Sequence, residues 1–277
     1  MPTISANGTT LYYERRGEGP PLLFISGGPG DAGFWTEIGD VLAAEYTVVS
    51  YDRRANSRSP RPENWTATSV EEQADDAAAL LEALDLAPAV VYGHSTGGII
   101  LTDLALRRPD VLRGAVFHEP AFAAATPVGR EALAGLQQLV GDALAEGGPT
   151  LAMERFLRFA DGDEVFESFD PEFRARMLDD GEVAFLEMEP LLRYLPTAEQ
   201  LASIEVPCAV VTGADNRDPA APLHWLHAAA RWTADGLGVP LVETSGAHLP
   251  QATHLPALVE TLRPILADLA TSSRVRA

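Results

Sequence analysis

The sequence of 277 residues predicts an α/β fold: a mostly parallel sheet with helices on both faces and an inserted helical segment. Three observations predict it. Short, continuous apolar runs, typical of strands buried on both faces, alternate with helical patterns along most of the chain. Polar or glycine-rich residues follow these runs directly, where the carboxyl ends of parallel strands would meet at one edge. Between residues 126 and 200 the apolar runs stop and helical patterns continue alone.

The predicted elements follow one another in this alternating order. Strands are expected at residues 9–16, 22–25, 46–51, 89–92, 113–118, 208–212 and 241–243. Helices are expected at residues 34–44, 69–86, 96–108, 223–237 and 255–269, and a polar tail at 271–277. Ser69 and Glu72 form a capping-box pattern at the start of the second helix. The chain divides into a first core part at 1–125, a helical lid at 126–200 and a second core part at 201–277.

The stretch Gly93-His94-Ser95-Thr96-Gly97 joins a β-branched apolar run to a helical pattern. Gly-x-Ser-x-Gly at such a junction predicts a tight strand-to-helix turn that holds its serine in a strained conformation. Glycines are needed on either side because a Cβ atom there would clash with the facing backbone. Such a turn exposes the serine hydroxyl at a helix N-terminus. Ser95 is therefore the predicted nucleophile.

A serine hydroxyl needs a base to become a nucleophile, and His248 is the predicted base among six histidines. His248 lies in Thr244-Ser245-Gly246-Ala247-His248, directly after the last predicted strand. The remaining histidines have simpler structural roles in a core, at a strand end, on a helix or at a helix start: His94, His118, His224, His227 and His254.

The residue that orients the base is left open by position alone. Glu119 follows the strand predicted at 113–118, and Asp215 follows the strand predicted at 208–212. Both strand ends can reach the base from the same side of the sheet. Asp218 is a weaker third candidate, and Asp52 is expected to fix its own loop.

Composition narrows the classes of partner. Twenty basic and forty acidic side chains give a net charge of −20, which argues against nucleic acid and anionic membranes. Cys208 is the only cysteine, so the chain forms no internal disulfide and no cysteine-based metal site. The first ten residues lack the pattern of a signal peptide, and no stretch is long and apolar enough to span a bilayer, so a cytoplasmic protein is expected.

No cofactor motif is found. The run Gly27-Gly28-Pro29-Gly30 lacks the spacing of a dinucleotide-binding loop and the lysine of a P-loop. The sequence therefore predicts a small-molecule substrate, no cofactor and no metal, and it leaves a homodimer open.

Over residues 9–269 the chain resembles the α/β-hydrolase superfamily. The resemblance rests on residues 26–30 (Ser-Gly-Gly-Pro-Gly), 52–59, 93–98 and 246–248. It implies the α/β-hydrolase fold, a Ser95-based hydrolase, and an oxyanion hole formed by the backbone N–H groups of Gly28 and Thr96. The family usually has histidine where Ser26 stands, and glycine where Ala55 and Ser57 stand.

The family often places its acid in a Gly-x-x-Asp pattern, which here reads Gly213-Ala214-Asp215-Asn216, so that the expected position holds Asn216. His118-Glu119-Pro120 and residues 56–59 and 246–250 are similar to the motifs of the fungal zearalenone lactonases, a branch with glutamate after the preceding strand. By this resemblance Glu119 is favoured over Asp215.

The predicted lid enters just after Glu119 and carries more aromatic and aliphatic side chains than a small solvated layer needs. Leu191, Leu192 and Tyr194 are the lid residues expected to face the pocket. An apolar pocket favours a bulky, uncharged ester or lactone, and the family resemblance points to an aromatic macrolactone such as zearalenone. A C–C bond or thioester hydrolase with the same triad, and a non-catalytic receptor of the same fold, are the alternatives.

Overall fold

The computed structural model describes residues 2–272, so most of the predicted polar tail at 271–277 lies outside the described residues. The described part contains one sheet of eight strands in the order β1-β2-β4-β3-β5-β6-β7-β8. β1 and β2, and β2 and β4, pair antiparallel, whereas the other neighbours are parallel. The strands are β1 Thr3–Ala6, β2 Thr9–Arg16, β3 Pro21–Ile25, β4 Thr47–Tyr51, β5 Ala89–His94, β6 Leu112–His118, β7 Cys208–Gly213 and β8 Leu241–Thr244.

Helices cover both faces of this sheet, as predicted. Their bounds are α1 Thr36–Leu42, α2 Val70–Ala83, α3 Thr96–Arg107, α4 Pro127–Asp161, α5 Asp163–Ser168, α6 Pro171–Asp179, α7 Gly181–Arg193, α8 Ala198–Ala202, α9 Trp225–Leu237, α10 Pro250–Thr253 and α11 Leu255–Thr271. None of the helices within residues 2–272 combines the length and the hydropathy needed to cross a bilayer.

Side chains of the central strand β5 point alternately to the two faces of the sheet and contribute to the hydrophobic core on each face. Val91 of β5 belongs to the core that also contains residues of α2, α3 and α9, whereas its neighbours Val90 and Tyr92 belong to the core on the other face, with residues of α1 and α11. Successive side chains of a strand point to opposite faces, so a strand buried on both faces must be apolar throughout. That is why these runs could be recognised in the sequence. β1 was not predicted, although Asn7-Gly8 between two alternating runs is a strong hairpin signal.

Along the chain, the helices α4 to α7 are inserted between β6 and β7, and they form a small hydrophobic core of their own. Its buried members come from α4, α5, α6 and α7: Met153, Leu157, Phe166, Phe173, Met177 and Ala184. The long helix α4 breaks at Gly148, which has φ 79° and is followed by Pro149. Because proline removes a backbone N–H group and the glycine is left-handed, the two halves of α4 take different directions.

A buried ion pair joins these inserted helices to the sheet. Arg53, in the loop after β4, donates from Nη1 to Glu187 of α7 at 2.7 Å, and both side chains are almost fully buried. Asn56 and Gln73 also donate to the Glu187 carboxylate, at 2.7 and 3.2 Å. From Nη2, Arg53 donates to the carbonyl oxygen of Gly28 at 2.8 Å. One arginine thus connects α7 with the loop after β3.

The two departures from family glycines keep the glycine conformation. Ala55 has φ 65° and Ser57 has φ 50°, both in the left-handed region. The strained backbone of Ser57 is compensated by a hydrogen bond, since its hydroxyl donates to Asp31 at 2.5 Å. The side chain of Ala55 can form none. Ser26, at the usual histidine position, accepts from Trp35 Nε1 at 2.8 Å and donates to the Asp31 carbonyl at 3.0 Å.

The buried ion pair predicts a large stability difference between two glutamates of α7. Glu187→Gln removes the charge that balances buried Arg53 and should lower the free energy of unfolding by about 3 kcal/mol. Glu182→Gln removes an exposed partner of Arg61 and should change it by less than about 0.5 kcal/mol. Urea unfolding of both variants makes the comparison. Equal losses would show that the Arg53 pair contributes no more than a surface pair.

The left-handed backbone of Ala55 predicts that glycine at this position stabilises the protein. Ala55→Gly relieves the left-handed strain of an L-residue and should raise the free energy of unfolding by about 0.5 kcal/mol after the entropy of glycine is counted. The same change in a helix, Ala79→Gly in α2, should lower it by about 1 kcal/mol. Thermal or urea unfolding distinguishes the two signs, and a loss of stability in Ala55→Gly would contradict the strain.

Candidate active site

Ser95 lies in the tight turn between β5 and α3, with φ 55° and ψ −122°. Its N–H group donates to the His118 carbonyl at 3.0 Å, which ties the turn to the end of β6. A Cβ atom on Gly97 would lie 2.3 Å from the Ile25 carbonyl oxygen, and one on Gly93 would lie 2.6 Å from the Gly97 carbonyl oxygen. The glycines of the motif are therefore required by backbone packing, and the strained serine is the kind of outlier found at functional sites.

Glu119 follows β6, is fully buried, and also has a left-handed backbone, with φ 44°. Its carboxylate accepts from Thr212 Oγ1 at 2.8 Å, from the Gly213 N–H group at 2.9 Å, and from Asn216 Nδ2 at 2.9 and 3.0 Å. Burial raises the pKa of Glu119, but hydrogen bonds from His248, Asn216 and Thr212 outweigh burial and hold that pKa below its usual range. Glu119 is thus an ionised acceptor.

The imidazole of His248 is oriented by this carboxylate. His248 Nδ1 lies 2.7 Å from Glu119 Oε2, and the residue is 8% exposed. Because an ionised carboxylate only accepts, Nδ1 carries a proton, and in the neutral form of the ring the lone pair lies on Nε2. Ser95 and His248 line the same cavity, whereas the Ser95 hydroxyl makes no hydrogen bond within residues 2–272. In structures without substrate, the hydrogen bond between a nucleophile and its base is often absent or long, and it tightens when substrate binds.

His94 holds the other side of His248. The two rings stack with centroids 4.3 Å apart, and His94 Nε2 lies 2.8 Å from the His248 carbonyl oxygen. A carbonyl only accepts, so His94 donates. Burial, followed by repulsion from His248 and His118, lowers the pKa of His94 well below its ordinary value, and the ring stays neutral. The residue beside Ser95 in the motif therefore positions the loop that carries His248.

The other candidate acids lie elsewhere. Asp215 is exposed, and its N–H group donates to the Gly246 carbonyl at 3.0 Å; Asp218 is also exposed and accepts from Ala220. Asp52 accepts from the Ala32 N–H group at 2.7 Å and from Arg58, so it fixes its loop. The structure brings Glu119 to His248 and leaves both aspartates after β7 away from it.

Asn216 contributes to the site although sequence reasoning gave it no role. It stands at the position where the Gly-x-x-Asp pattern expects the acid, and it donates to both oxygens of Glu119. The sequence did offer a signal for this role. Asn216, a neutral donor, stands where the Gly-x-x-Asp pattern places its acid, and Glu119 supplies an acid one strand earlier.

The loop after β3 packs directly against the turn of Ser95. A Cβ atom on Gly27 would lie 2.5 Å from Ser95 Cβ, so only glycine allows this approach. Gly28, with φ 24°, and Thr96 both line the cavity beside Ser95. Neither of their N–H groups donates a hydrogen bond in the described part of the chain. Two free backbone donors beside a serine suit a developing oxyanion.

The cavity above Ser95 is apolar and encloses about 80 Å³. Its walls include Phe34, Phe156 and Trp225 together with leucines from α4 and α9. Among the described residues that line it, Asp161 carries the only carboxyl group. A groove of about 330 Å³ between α4 and α7 shares wall residues with this cavity: Leu133, Leu136, Met188 and Leu192. Cavity and groove therefore adjoin.

Of the three lid residues expected at the pocket, the structure places only Leu192 there. Leu191 is 1% exposed and packs into the main core instead. Tyr194 follows the end of α7, and its hydroxyl donates to Asp103 of α3 at 3.3 Å. Adjacent residues of a helix cannot face the same direction, so Leu191 and Leu192 necessarily separate. The expectations for Leu191 and Tyr194 are corrected accordingly.

Comparison with known proteins agrees with this architecture. The sequence model of the alpha/beta hydrolase fold matches residues 20–156. An uncharacterised hydrolase of Bacillus subtilis is 40% identical over 118 residues, 43% of this chain and 44% of that protein. The zearalenone hydrolase of Bionectria ochroleuca is 35% identical over 121 residues, 42% of this chain and 46% of that protein. The matched region thus spans less than half the length of each of these curated relatives.

The likeness in fold extends well beyond these matched regions. A thermophilic esterase from Thermogutta terrifontis superimposes with a TM-score of 0.77 at 21% identity, covering 98% of this chain and 100% of the esterase. At that identity the likeness concerns the fold. With the family match, the sheet order and the turn around Ser95, it confirms the resemblance to the α/β-hydrolase superfamily seen in the motifs: this chain has the α/β-hydrolase fold.

Proposed function

We propose that the protein is a serine hydrolase that cleaves a carboxylic ester or lactone through an acyl-enzyme. One observation carries the proposal. His248 is bonded through Nδ1 to buried Glu119, and it lines the same cavity as the strained Ser95. A nucleophile, a base with a fixed tautomer and an ionised orienting acid are the parts that acyl transfer requires.

The proposed steps follow from the protonation states. His248 Nε2 takes the proton of Ser95 as the serine oxygen attacks the substrate carbonyl carbon. The oxyanion accepts hydrogen bonds from the N–H groups of Gly28 and Thr96, and Glu119 stabilises the imidazolium. The tetrahedral intermediate collapses, the carbon–oxygen bond of the ester breaks, and His248 returns the proton to the leaving alcohol. A water molecule then attacks the carbonyl carbon of the acyl-enzyme while His248 Nε2 takes a proton from it. The bond to the Ser95 oxygen breaks, His248 returns the proton to that oxygen, and the carboxylic acid is released.

The side chains of the inserted helices favour the interpretation that the substrate is bulky and apolar. They line both the cavity and the groove, so we infer that they form a lid that sets substrate class. The cavity alone is too small for a macrocycle, since ligand sites are typically about 300–1,000 Å³. The adjoining groove supplies the missing space. The relative named zearalenone hydrolase and the structural neighbour named esterase favour a large lactone or aryl ester.

The acid assignment gives one prediction. Glu119→Gln removes the anion that fixes the His248 tautomer and should lower kcat by about 10⁴ on a 4-nitrophenyl ester. Asp215→Asn, the matched change on an exposed acid, should leave kcat near the wild-type value.

Folding of each variant is checked by near-UV circular dichroism. Ser95→Ala serves as the reference without a nucleophile, which should lose covalent labelling by a fluorophosphonate. The reverse order of the two acid variants would move the acid to Asp215, and persistent labelling of Ser95→Ala would exclude Ser95 as the nucleophile.

The lid gives a second prediction. In the wild type, kcat/KM should rise from acetyl esters to bulky aryl esters and macrolactones, because larger acyl groups fill the groove. Leu192→Ala should lower kcat/KM for the bulky members about tenfold and leave acetyl esters nearly unchanged. Tyr194→Ala is the control on the same segment, since Tyr194 contacts Asp103 instead of the cavity.

A preference for small or anionic acyl groups would contradict the substrate class. Comparable turnover of thioesters or of compounds cleaved at a C–C bond would instead assign the alternative reactions. Tight binding of a ligand with no turnover by any substrate would identify a receptor.

A further inference from the structure

Asp161 carries the one carboxyl group among the described residues that line the cavity of Ser95. It is the last residue of α4, and its neighbours in the cavity wall include Phe156, Leu157 and Ala160 from the same helix. Within residues 2–272 its carboxyl makes no hydrogen bond and no ion pair. The proposed mechanism gives this group no role.

The position disfavours a free carboxylate on two independent grounds. An apolar wall stabilises an anion poorly, and the C-terminal end of a helix carries partial negative charge. Consistently, burial raises the pKa of Asp161 to about 7, with the attraction of His248 acting in the opposite direction. Asp161 is half-buried and its carboxyl has no protein partner, so a ligand in the cavity can reach it and form a hydrogen bond with it.

We propose that Asp161 is a specificity-determining residue that hydrogen-bonds a hydroxyl group of the substrate at a point away from the scissile ester. The proposal rests on the proposed hydrolase function. A neutral carboxylic acid offers one donor and an acceptor, which matches the donor and acceptor of an alcohol or phenol. An ammonium group suits the cavity less well, because it needs several acceptors to replace its water and Asp161 is the one acidic group in the described lining.

The inference identifies the substrate as an ester or lactone that is apolar over most of its surface and carries one hydroxyl. Sites that hydrogen-bond a substrate hydroxyl discriminate strongly against the analogue that lacks it, since the polar group of the protein is then left unpaired. Purely apolar walls cannot discriminate in this way. Asp161 thus adds a selection that the leucine and phenylalanine side chains do not provide.

The experiment compares 4-nitrophenyl esters of 3-phenylpropanoic acid that carry an ortho, meta or para hydroxyl, an aminomethyl group or no substituent. The readout is the ratio of kcat/KM for each substituted ester to that of the unsubstituted one. In the wild type one hydroxyl isomer should exceed the unsubstituted ester about five- to tenfold. Asp161→Leu should reduce that ratio to about one, whereas Asp161→Asn should keep most of it because an amide also donates and accepts.

Asp163→Asn is the matched control, since Asp163 lies two residues further along, is exposed and pairs with Arg158. It should keep the wild-type ratios. The same esters are also titrated against Ser95→Ala and against Ser95→Ala combined with Asp161→Leu, which measures recognition without turnover. The hydroxylated isomer should bind Ser95→Ala about five- to tenfold more tightly than the unsubstituted ester.

Each outcome decides something. Equal ratios for all isomers in the wild type, or a preference that survives Asp161→Leu, would overturn the inference while leaving the hydrolase intact. Preference for the aminomethyl ester, lost in both Asp161→Leu and Asp161→Asn, would replace the hydroxyl by a cation. Hydrolysis that persists in Ser95→Ala would overturn the proposed function, and discrimination in the binding titrations would still test Asp161.

Discussion

Three backbone segments meet around Ser95 with no room for a side chain between them. Gly27 lies against the serine itself, Gly97 lies against the Ile25 carbonyl, and Gly93 lies against Gly97. Because none of these contacts can relax without displacing a strand end, the loop of Gly28 has a fixed position relative to the serine. An oxyanion hole is effective only when its donors are in place before charge develops. In the proposed function the glycines would provide that placement through packing, while the serine keeps a strained backbone.

That strain is offset at the ends of the neighbouring strands. Left-handed residues such as Ser95 and Glu119 cost about 1–3 kcal/mol each and persist only where the surroundings enforce them. The carboxylate of Glu119 is held by donors from the end of β7 and the turn after it, at Thr212, Gly213 and Asn216. The acid is thus fixed independently of His248, and the imidazole docks between it and the ring of His94.

The sequence predicted these parts unequally, for physical reasons. The positions of strands β2 to β8 along the chain and the turn around Ser95 follow from local patterns, since a doubly buried strand must be apolar and a tight turn needs its glycines. The choice between Glu119 and Asp215 could not be made from position, because both follow strands at one edge. It depends on the backbone angle of Glu119 and on the exposure of Asp215, which tertiary packing sets. Leu191 and Tyr194 were wrongly expected at the pocket because the rotation of α7 is also set by packing.

The two faces of α7 explain how the inserted helices act on the site. Glu187 and Leu191, four residues apart, face the core, whereas Met188 and Leu192 face the cavity. One face holds Arg53, which in turn holds the Gly28 carbonyl, and the other receives the substrate in the proposed function. Contacts along the cavity face and the position of the oxyanion loop therefore depend on the same helix. In the proposed function, a substrate that fills the groove would contact the helix whose Glu187 holds Arg53 against the Gly28 carbonyl, so binding energy far from the ester would help to position the proposed oxyanion loop.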